Sequence, residues 1–516
     1  MKVRNIIFIL LLAMAMLVSA CGGGGAMAGG GAVSNDTDMS GSGGNNSQGG
    51  GDAGDVPTLI WYMGNPGQIP SDQAMVEAKL NELSVPAIGA KVKTIFMSDT
   101  EVKLALSAGE KWDKTFTCEW YNNYAVQALA GYFADITDML PTLTPALWAD
   151  MPEVVWDGAR INGKIMAVPV KKDYAAELYW RLDRDLFDSL DMAVPTTMDF
   201  FDIEKYLAAA KNAWKDGNPN AKVEYPLMLA RGGFGGVLSV FDMINQDAMI
   251  GIPYSAIGTP AEDKIVLTLE HPEAIARLKA IHNWFKAGYI NPDAMTTDTE
   301  SVLFAARSGQ GFYGADAIWS SGSGFPNAIS KYNGPYLSTA SIRGSMNAVN
   351  ARSQHVDKVV KLMELINTNL EYRDILRYGI EGVHWNRMPD GLVKKTQAGI
   401  DGYSVWAFSQ GSYSKSSVEA AEGVDVDPNM WNVIFENYDK YAVATKSIGF
   451  AFNPEKVEVE LAAISAAKAK YWEGISTGTI DPEASVPLML KEFESAGIRK
   501  VLEECQSQYD AFLATK

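Results

Sequence analysis

The first stretch of the folded body constrains the fold most, because strand and helix patterns alternate there. Residues 57–63 (PTLIWYM) are an apolar run ended by a Gly- and Pro-rich turn, which predicts a buried strand. A helical pattern follows at 71–84, an alternating strand pattern at 90–97, and then a second helical pattern that stops at Gly109. This β-α-β-α order predicts an α/β fold with mostly parallel sheets and helices outside them.

The chain is long enough for more than one hydrophobic core. It has 516 residues, 47% of them hydrophobic, whereas single cores rarely grow beyond about 250–300 residues. Strong helical patterns at 355–368 and 455–472 occupy the later part of the chain. The formal net charge of −18 disfavours nucleic acid and anionic lipid as partners and is compatible with a neutral ligand.

The amino-terminal 55 residues are not expected to belong to the folded body. A basic start and an apolar run at 6–18 are typical of a signal peptide over residues 1–20, and the run is short for a membrane span. The string LVSAC resembles a bacterial lipobox, which implies cleavage before Cys21 and lipid attachment to it. Residues 21–55 are rich in Gly, Ser and Asn and predict a flexible tether. The alternative is ordinary cleavage that leaves Cys21 free.

The stretch FTCEWYNNY at 116–124 gathers aromatic and polar side chains where a third strand is expected to end. Open parallel sheets bind ligands at the carboxyl ends of their strands. Flat aromatic rings suit the apolar faces of sugars, while amides and carboxylates pair with sugar hydroxyls. We therefore expect the ligand to contact Glu119, Trp120, Asn122 and Asn123. The alternative is that Trp120 or Tyr121 belongs to the core.

An enzyme would use the same stretch differently, with Cys118 as nucleophile beside Glu119. Such a cysteine needs a histidine base, and none of the four histidines is close in sequence. A G-x-S-x-G string at 474–478 ends a helical pattern, whereas a nucleophile elbow ends a strand. No His or Cys spacing suggests a metal, and no cofactor is expected. We predict no enzyme activity and unpaired thiols at Cys118 and Cys505; glycan hydrolysis by two converging carboxylates is the alternative.

Several longer stretches carry a family resemblance. They are a G-K-x-x-x-x-P string within 161–190, PTTMDFF at 195–201, GQGFYGADAIWSSG at 309–322 and the segment 346–368. Together they resemble the lobe crossings and a sugar-stacking loop of extracellular solute-binding proteins of ATP-binding-cassette (ABC) importers, in the sugar-binding family typified by maltose-binding protein. Residues 378–385 and 449–512 resemble the carboxyl-terminal domain of a lipoprotein subgroup common in Gram-positive bacteria.

The resemblance implies a two-lobed, periplasmic-binding-protein-like fold with a ligand cleft between the lobes. Lobe one would hold residues 57–170 and 338–380, and lobe two residues 177–336 and 385–516. The implied protein is a lipid-anchored monomer on the outer face of the cell membrane. It would capture an oligosaccharide by hinge closure and deliver it to permease subunits. A surface glycan hydrolase and a non-transport receptor on the same fold are the alternatives.

The resemblance also points to candidate site residues outside the 116–124 stretch. Trp319 follows Asp316 in a Gly- and Ser-rich segment expected to be a loop, and it is implied to stack on sugar. Phe234 in RGGFGG and Trp61 at the first strand are further candidates, with a place in a turn or in the core as their alternatives. Lys171 would face an anionic sugar group, or else lie in a solvated hinge. Lys172 would share the role of Lys171. Trp385, Trp406 and Trp431 are expected mainly in the core of lobe two.

Overall fold

The computed structural model describes residues 56–65, 67–421 and 424–516. The predicted signal peptide, the tether and Cys21 lie outside the described residues. The strands, in chain order, are β1 (Thr58–Gly64), β2 (Lys91–Met97), β3 (Lys114–Thr117), β4 (Arg160–Ile161), β5 (Lys164–Ile165), β6 (Ala167–Pro169), β7 (Ala176–Asp183), β8 (Phe241–Asn245), β9 (Ile250–Pro253), β10 (Val266–Leu267), β11 (Ala306–Gln310), β12 (Asn327–Leu337), β13 (Met346–Val349), β14 (Trp385–Arg387), β15 (Val393–Lys395) and β16 (Val443–Ala444).

The α-helices are concentrated in the opening third and at the carboxyl terminus. Within the described ranges, no helix is long and apolar enough to cross a membrane. The helices are α1 (Gln73–Ile88), α2 (Asp99–Ala108), α3 (Tyr124–Leu129), α4 (Leu140–Leu143), α5 (Pro145–Asp150), α6 (Glu153–Ala159), α7 (Arg184–Ser189), α8 (Ile203–Lys215), α9 (Pro272–Lys286), α10 (Ala315–Ser323), α11 (Thr339–Ile342), α12 (Val356–Thr368), α13 (Leu370–Tyr378), α14 (Gln397–Gly402), α15 (Met430–Tyr441), α16 (Glu458–Ser476), α17 (Pro482–Ala496) and α18 (Ile498–Leu513).

The first lobe is built on a five-stranded sheet in the order β2-β1-β3-β13-β6. Strands β1, β2 and β3 are parallel, and Trp61 of β1 pairs in register with Thr94 of β2 and Lys114 of β3. Strand β13 runs antiparallel to both β3 and β6. The carboxyl ends of β1, β2, β3 and β6 therefore meet at one edge of this sheet.

Helix α2 shows how local sequence produces the alternation at the start of the fold. The Ser98 side chain accepts a hydrogen bond from the Glu101 backbone N–H at 3.3 Å, and the Glu101 carboxylate accepts one from the Ser98 N–H at 2.6 Å. This capping box satisfies two backbone donors that the first turn leaves free. Gly109 then adopts a left-handed φ of 71° and ends the helix. The predicted β-α-β-α order is observed from β1 to α2.

The second lobe pairs its strands differently. Its main sheet has the order β11-β7-β12-β16, in which β7 runs antiparallel to β11 and β12 while β16 is parallel to β12. A three-stranded sheet, β10-β9-β8, is antiparallel throughout. The opening of the chain predicted mostly parallel sheets, which describes the first lobe and not the second.

Two separate clusters of buried apolar side chains form the cores of the lobes. The first contains Trp61 and Phe116, together with side chains between residues 392 and 448. The second contains Trp180 and extends through the carboxyl-terminal helices to Tyr509. The prediction assigned all of 385–516 to lobe two. The packing differs, because most buried side chains of 392–448 lie on the first core.

Three segments carry the chain between the lobes. The first leaves β6 and enters β7, the second joins β12 to β13, and the third runs from α15 through β16 into the carboxyl-terminal helices. The first crossing starts at the carboxyl end of β6, which is the sheet edge at which β3 also ends. The loop that follows β3 therefore lies on the side of lobe one from which the chain departs for lobe two.

Candidate binding site

A partly exposed group of aromatic side chains lies where β1 and β3 end. Trp120, in the loop after β3, exposes 45% of its surface. Its ring centroid is 5.9 Å from those of Phe116 and Trp406 and 6.0 Å from that of Phe408. Trp406 lies over Gly64 at the end of β1, where a Cβ atom would stand only 2.5 Å from the ring carbon Cε3. We call Phe116, Trp120, Trp406 and Phe408 the first platform.

Cys118, which lies in the chain between Phe116 and Trp120 of the first platform, is fully buried. Its Sγ atom is 3.7 Å from the Tyr121 backbone oxygen, and the Tyr121 hydroxyl donates to the Met97 backbone oxygen at 2.8 Å. Burial raises the pKa of the Cys118 thiol, so the thiolate that a nucleophile requires is disfavoured. Cys118 and Cys505 are both buried, and they form no disulfide with each other in the described part of the chain.

Glu119 is a partly exposed acceptor beside the first platform. Surrounding protein atoms desolvate its carboxyl group and raise its pKa, while the Arg343 guanidinium acts in the opposite direction. Arg343 is itself buried, and it donates to the backbone oxygens of Gly158 and Arg160 at 2.8 Å each. Glu119 is therefore a partly exposed residue whose carboxyl group is largely surrounded by protein.

The two asparagines of the stretch shape the loop. Asn122 is fully buried with φ 45°, and its backbone N–H donates to Asp99 Oδ1 at 2.7 Å. Asn123 caps α3, since its Oδ1 accepts from the Val126 N–H at 3.1 Å, and its Nδ2 donates to the Glu119 oxygen at 2.9 Å. Both were predicted to meet ligand hydroxyls. Asn122 is sealed from solvent here, and the Asn123 amide is occupied by the cap.

Trp61 and Phe234 lie in the two cores. The core was the alternative stated for Trp61, whereas the alternative stated for Phe234 was a turn. Trp61 is fully buried, and Lys114 Nζ lies 3.2 Å from the centroid of its ring. Phe234 is 2% exposed, and its ring centroid is 5.4 Å from that of Trp180 and 5.7 Å from that of Phe200. Both rings are covered by protein and offer no face to a solute in this structure.

The two hinge lysines have carboxylate partners within the chain. Lys171 Nζ donates to the Asp150 backbone oxygen at 2.6 Å and lies 3.1 Å from Asp150 Oδ1. Lys172 Nζ lies 2.6 Å from Asp173 Oδ1. Both ammonium groups are largely shielded from solvent. Lys171, which was predicted to contact an anionic sugar, therefore has its charge compensated within the chain.

Trp319 belongs to helix α10, where the sequence predicted a loop. Gly314 takes a left-handed φ of 77° immediately before the helix, so the glycines start and end a helix instead of preventing one. Asp316, in the first turn, lies 3.4 Å from the Arg184 guanidinium. Asp316 is therefore engaged in an ion pair on the surface of lobe two.

Trp319 is partly exposed and is supported from three sides. The Arg181 guanidinium lies 4.6 Å from its ring centroid, and the Tyr179 ring centroid is 6.4 Å away in an edge-on arrangement. Its six-membered ring also rests on Gly311, where an added Cβ would clash with ring carbon Cη2. We call Trp319 with these supporting residues the second platform.

Aromatic contacts through α15 join the loop that carries Trp406 to the segment that precedes α10. Tyr413, in the same loop as Trp406 and Phe408, has its ring centroid 4.4 Å from that of Trp431 on α15. Trp431 in turn lies 5.0 Å from Phe312, which precedes α10. Sequence reasoning missed Trp406 as a site residue. Small and polar neighbours flank it in GYSVWAFSQGSYS, as they flank Trp319, and that composition was the available signal.

The other enzyme-like motif takes a structural role. Ser476 of the G-x-S-x-G string is the last residue of α16 and is buried. Its hydroxyl donates to the Glu473 backbone oxygen at 3.4 Å. Across the described part of the chain, no group of three His, Cys, Asp or Glu side chains is placed to hold a metal ion.

This architecture is that of the two-lobed solute-binding proteins, and comparisons with known proteins agree. A carbohydrate ABC transporter substrate-binding protein of Streptococcus pneumoniae is 25% identical over 480 residues, which is 90% of this chain and 93% of that protein. A family model described as a domain of unknown function, DUF3502, matches residues 446–514. The predicted resemblance to solute-binding proteins of carbohydrate ABC importers is confirmed.

Solved structures show the same fold. The N-glycan transport solute binding protein NgtS from Streptococcus pneumoniae superposes with a TM-score of 0.77 at 22% identity, covering 89% of this chain and 99% of that chain. NgtS in complex with Man5GlcNAc gives a TM-score of 0.69 at 23% identity over 89% of this chain and 99% of that chain. The predicted α/β, two-lobed fold is confirmed, and these relatives are named as binding proteins and not as enzymes.

Proposed function

We propose that this chain is a lipid-anchored extracellular protein that captures an oligosaccharide between its two platforms and delivers it to the permease of an ABC importer. The observation that carries the proposal is Trp120, a large indole left 45% exposed at the sheet edge from which the chain crosses to lobe two. An exposed flat apolar face of this kind suits the C–H face of a sugar ring.

The second platform supports capture by closure. A solute favours the closed form only through contacts that the open form lacks, so its partners must lie on both lobes. Trp120 is on lobe one, and Trp319 is on lobe two in helix α10, which follows the end of β11 that pairs with the start of β7. An oligosaccharide held between two indoles would provide such differential contacts.

Charge and relatives narrow the proposed solute to a neutral oligosaccharide. Lys171 and Lys172 are paired with Asp150 and Asp173, so their charges are already compensated within the chain and attract an anionic sugar less. The net charge of −18 also opposes anionic solutes. The relatives bear carbohydrate names, and NgtS has been solved with a mannose- and N-acetylglucosamine-containing glycan.

Binding and turnover are tested together. A panel of Man1GlcNAc, Man5GlcNAc, kestose, maltohexaose and an anionic alginate oligosaccharide is screened by thermal shift and calorimetry, and each sugar is then analysed by chromatography. We expect a neutral member to raise the melting temperature, because a ligand that binds only the folded state stabilises it, and to be recovered intact. Turnover would identify a hydrolase, and absence of binding across the panel would overturn the proposal.

Anchoring and delivery need separate experiments. The LVSAC string and the Gly-rich tether support lipid attachment at Cys21, at the outer face of a membrane. We expect the wild-type chain to remain with the membrane fraction and a Cys21→Ala variant to appear in the medium. For delivery, deletion of this chain should abolish uptake of the bound sugar by the producing cell. Uptake that persists at the wild-type rate would support the non-transport receptor instead.

A further inference from the structure

The loop that carries Trp406 is held in an unusual way. Six consecutive backbone oxygens, from Ala407 to Ser412, each accept a hydrogen bond from a buried side chain of lobe one. Arg373 donates to the oxygens of Ala407 (2.9 Å), Gly411 (3.0 Å) and Ser412 (3.2 Å), Asn347 to those of Ser409 (3.1 Å) and Gln410 (3.2 Å), and the Ser345 hydroxyl to that of Phe408.

Arg373 is the centre of this arrangement. It is fully buried, and no carboxylate in the described ranges lies within ion-pair distance of it. Its Nη1 also donates to Gln410 Oε1 at 2.6 Å. Burial and the nearby Arg377 lower the pKa of Arg373 to about 10, so the guanidinium stays charged at neutral pH. A buried charge without a counter-ion is costly, and here its compensation comes from this loop.

Lys114 extends the network towards the sheet. Its Nζ donates to Asn347 Oδ1 at 2.5 Å, which leaves the Asn347 amide nitrogen to serve the loop. A purely apolar core at these positions would satisfy none of the loop oxygens, and each buried unpaired oxygen would cost stability. The network therefore fixes the backbone of 407–412 as one rigid unit.

The residue next to this rigid unit is Trp406. Its ring is partly exposed, lies over Gly64, and meets the exposed Trp120 ring at a centroid distance of 5.9 Å and an interplanar angle of 64°. Phe408, whose backbone is held by Ser345, stacks behind it with centroids 5.3 Å apart. Two partly or largely exposed indoles thus meet at an angle at the carboxyl ends of β1 and β3.

We infer that Trp406 is a second solute-stacking side chain of the first platform, and that Arg373 is a positioning residue that sets the Trp406 ring through the backbone of 407–412. The inference rests on the proposed oligosaccharide binding. A ring that is already fixed before binding loses little conformational freedom when the sugar arrives, which favours affinity. Because the Trp120 and Trp406 rings lie at 64° to each other, the pair suits a solute with at least two sugar units.

Trp406→Ala tests the stacking role by calorimetry with the best-bound sugar of the panel. Trp214→Ala is the matched control, because Trp214 is 41% exposed on α8 of the other lobe. We expect Trp406→Ala to weaken binding about tenfold or more and the control to bind as wild type. If Trp120→Ala weakens binding and Trp406→Ala does not, the inference fails and the proposed function stands. If the wild-type chain binds no member of the panel, both fail.

Arg373→Lys tests positioning through a double-mutant cycle with Trp406→Ala. We expect Arg373→Lys to weaken binding several-fold in the wild-type background and to have no further effect once Trp406 is gone. Additive losses would overturn the positioning role. Should Arg373→Lys not fold, Ser345→Ala takes its place in the same cycle, since it removes the donor to the Phe408 oxygen alone. Equal losses of affinity in both backgrounds would again overturn it.

Discussion

The two platforms place a tryptophan on a glycine in each lobe, but they hold it by different means. Trp406 lies over Gly64. The stretch that contains Trp406 belongs to no α-helix or strand, so its carbonyl oxygens need donors from other parts of the chain. Trp319 is part of helix α10, in which most backbone N–H and C=O groups bond to each other. Its ring lies over Gly311 and is covered by the Arg181 guanidinium. The first platform thus depends on buried polar groups, and the second on packing.

The comparison is tested most strongly by removing one indole from each lobe. We expect Trp120→Ala and Trp319→Ala each to weaken sugar binding about tenfold or more, and the double variant to abolish measurable binding, because closure needs partners on both lobes. Calorimetry gives the affinity and circular dichroism verifies the fold. A Trp319→Ala variant that binds as wild type would remove the second platform from the site.

The contrast in support is tested by two arginine substitutions. Arg373→Met deprives three loop oxygens of their donor, and we expect it to lower the free energy of unfolding by about 3 kcal/mol or more. Arg181→Met loses cation–π contacts with Trp319 and Phe304 and one bond to Asn327 at 3.2 Å, so about 1–2 kcal/mol is expected. Denaturant unfolding of both variants checks this order, and equal losses would contradict the contrast.

In both platforms a tryptophan ring packs directly against a glycine, Gly64 in the first and Gly311 in the second. An alanine at Gly64 or Gly311 would clash with the ring of Trp406 or Trp319, so we expect each to shift its ring and cost about 1–3 kcal/mol of stability. Sugar affinity should fall with both. Gly235→Ala is the matched control, because its added Cβ would meet open space. If Gly64→Ala or Gly311→Ala matched this control in both stability and sugar affinity, the position of the corresponding ring would not depend on its glycine.

The smallest expected effect concerns Glu119 and pH. Its pKa is raised in the folded protein, mainly by desolvation, so the folded state binds the proton more tightly than the unfolded state does. The stabilisation of the folded state that results is complete below the ordinary glutamate pKa of about 4.3, and it is lost as the pH rises through the folded-state pKa. The free energy of unfolding of Glu119→Gln, relative to that of the wild type, should therefore be higher at pH 7 than at pH 4. Unfolding at both pH values measures this, and a constant difference would contradict it.

Local patterns in the sequence predicted the first lobe well. The strands and helices from β1 to α2 have clear periodicity and a capping box, so neighbours in sequence determine them. The second lobe lacked this signal, because β7, β11 and β12 come from distant parts of the chain and pair antiparallel. Its sheet pairing depends on long-range contacts that periodicity does not report.

The residues of the candidate site also differ in whether local sequence or long-range contacts determine their positions. The exposed Trp120 was predicted because the strand before it and the polar loop around it are local features. Asn123 had a local signal that was overlooked, since a helical pattern follows it directly and makes it an N-cap. Trp406 could be assigned only once Gly64 and Trp120, which are far from it in sequence, were seen beside it.

Small-angle X-ray scattering with and without sugar tests capture by closure most directly. The chain is measured alone and at saturation with the best-bound oligosaccharide of the panel, with Trp120→Ala at the same sugar concentration as the control. We expect the radius of gyration to fall when the wild-type chain is saturated, because the sugar contacts both platforms and favours the closed form. An unchanged radius of gyration, at a concentration where calorimetry shows full occupancy, would contradict the account.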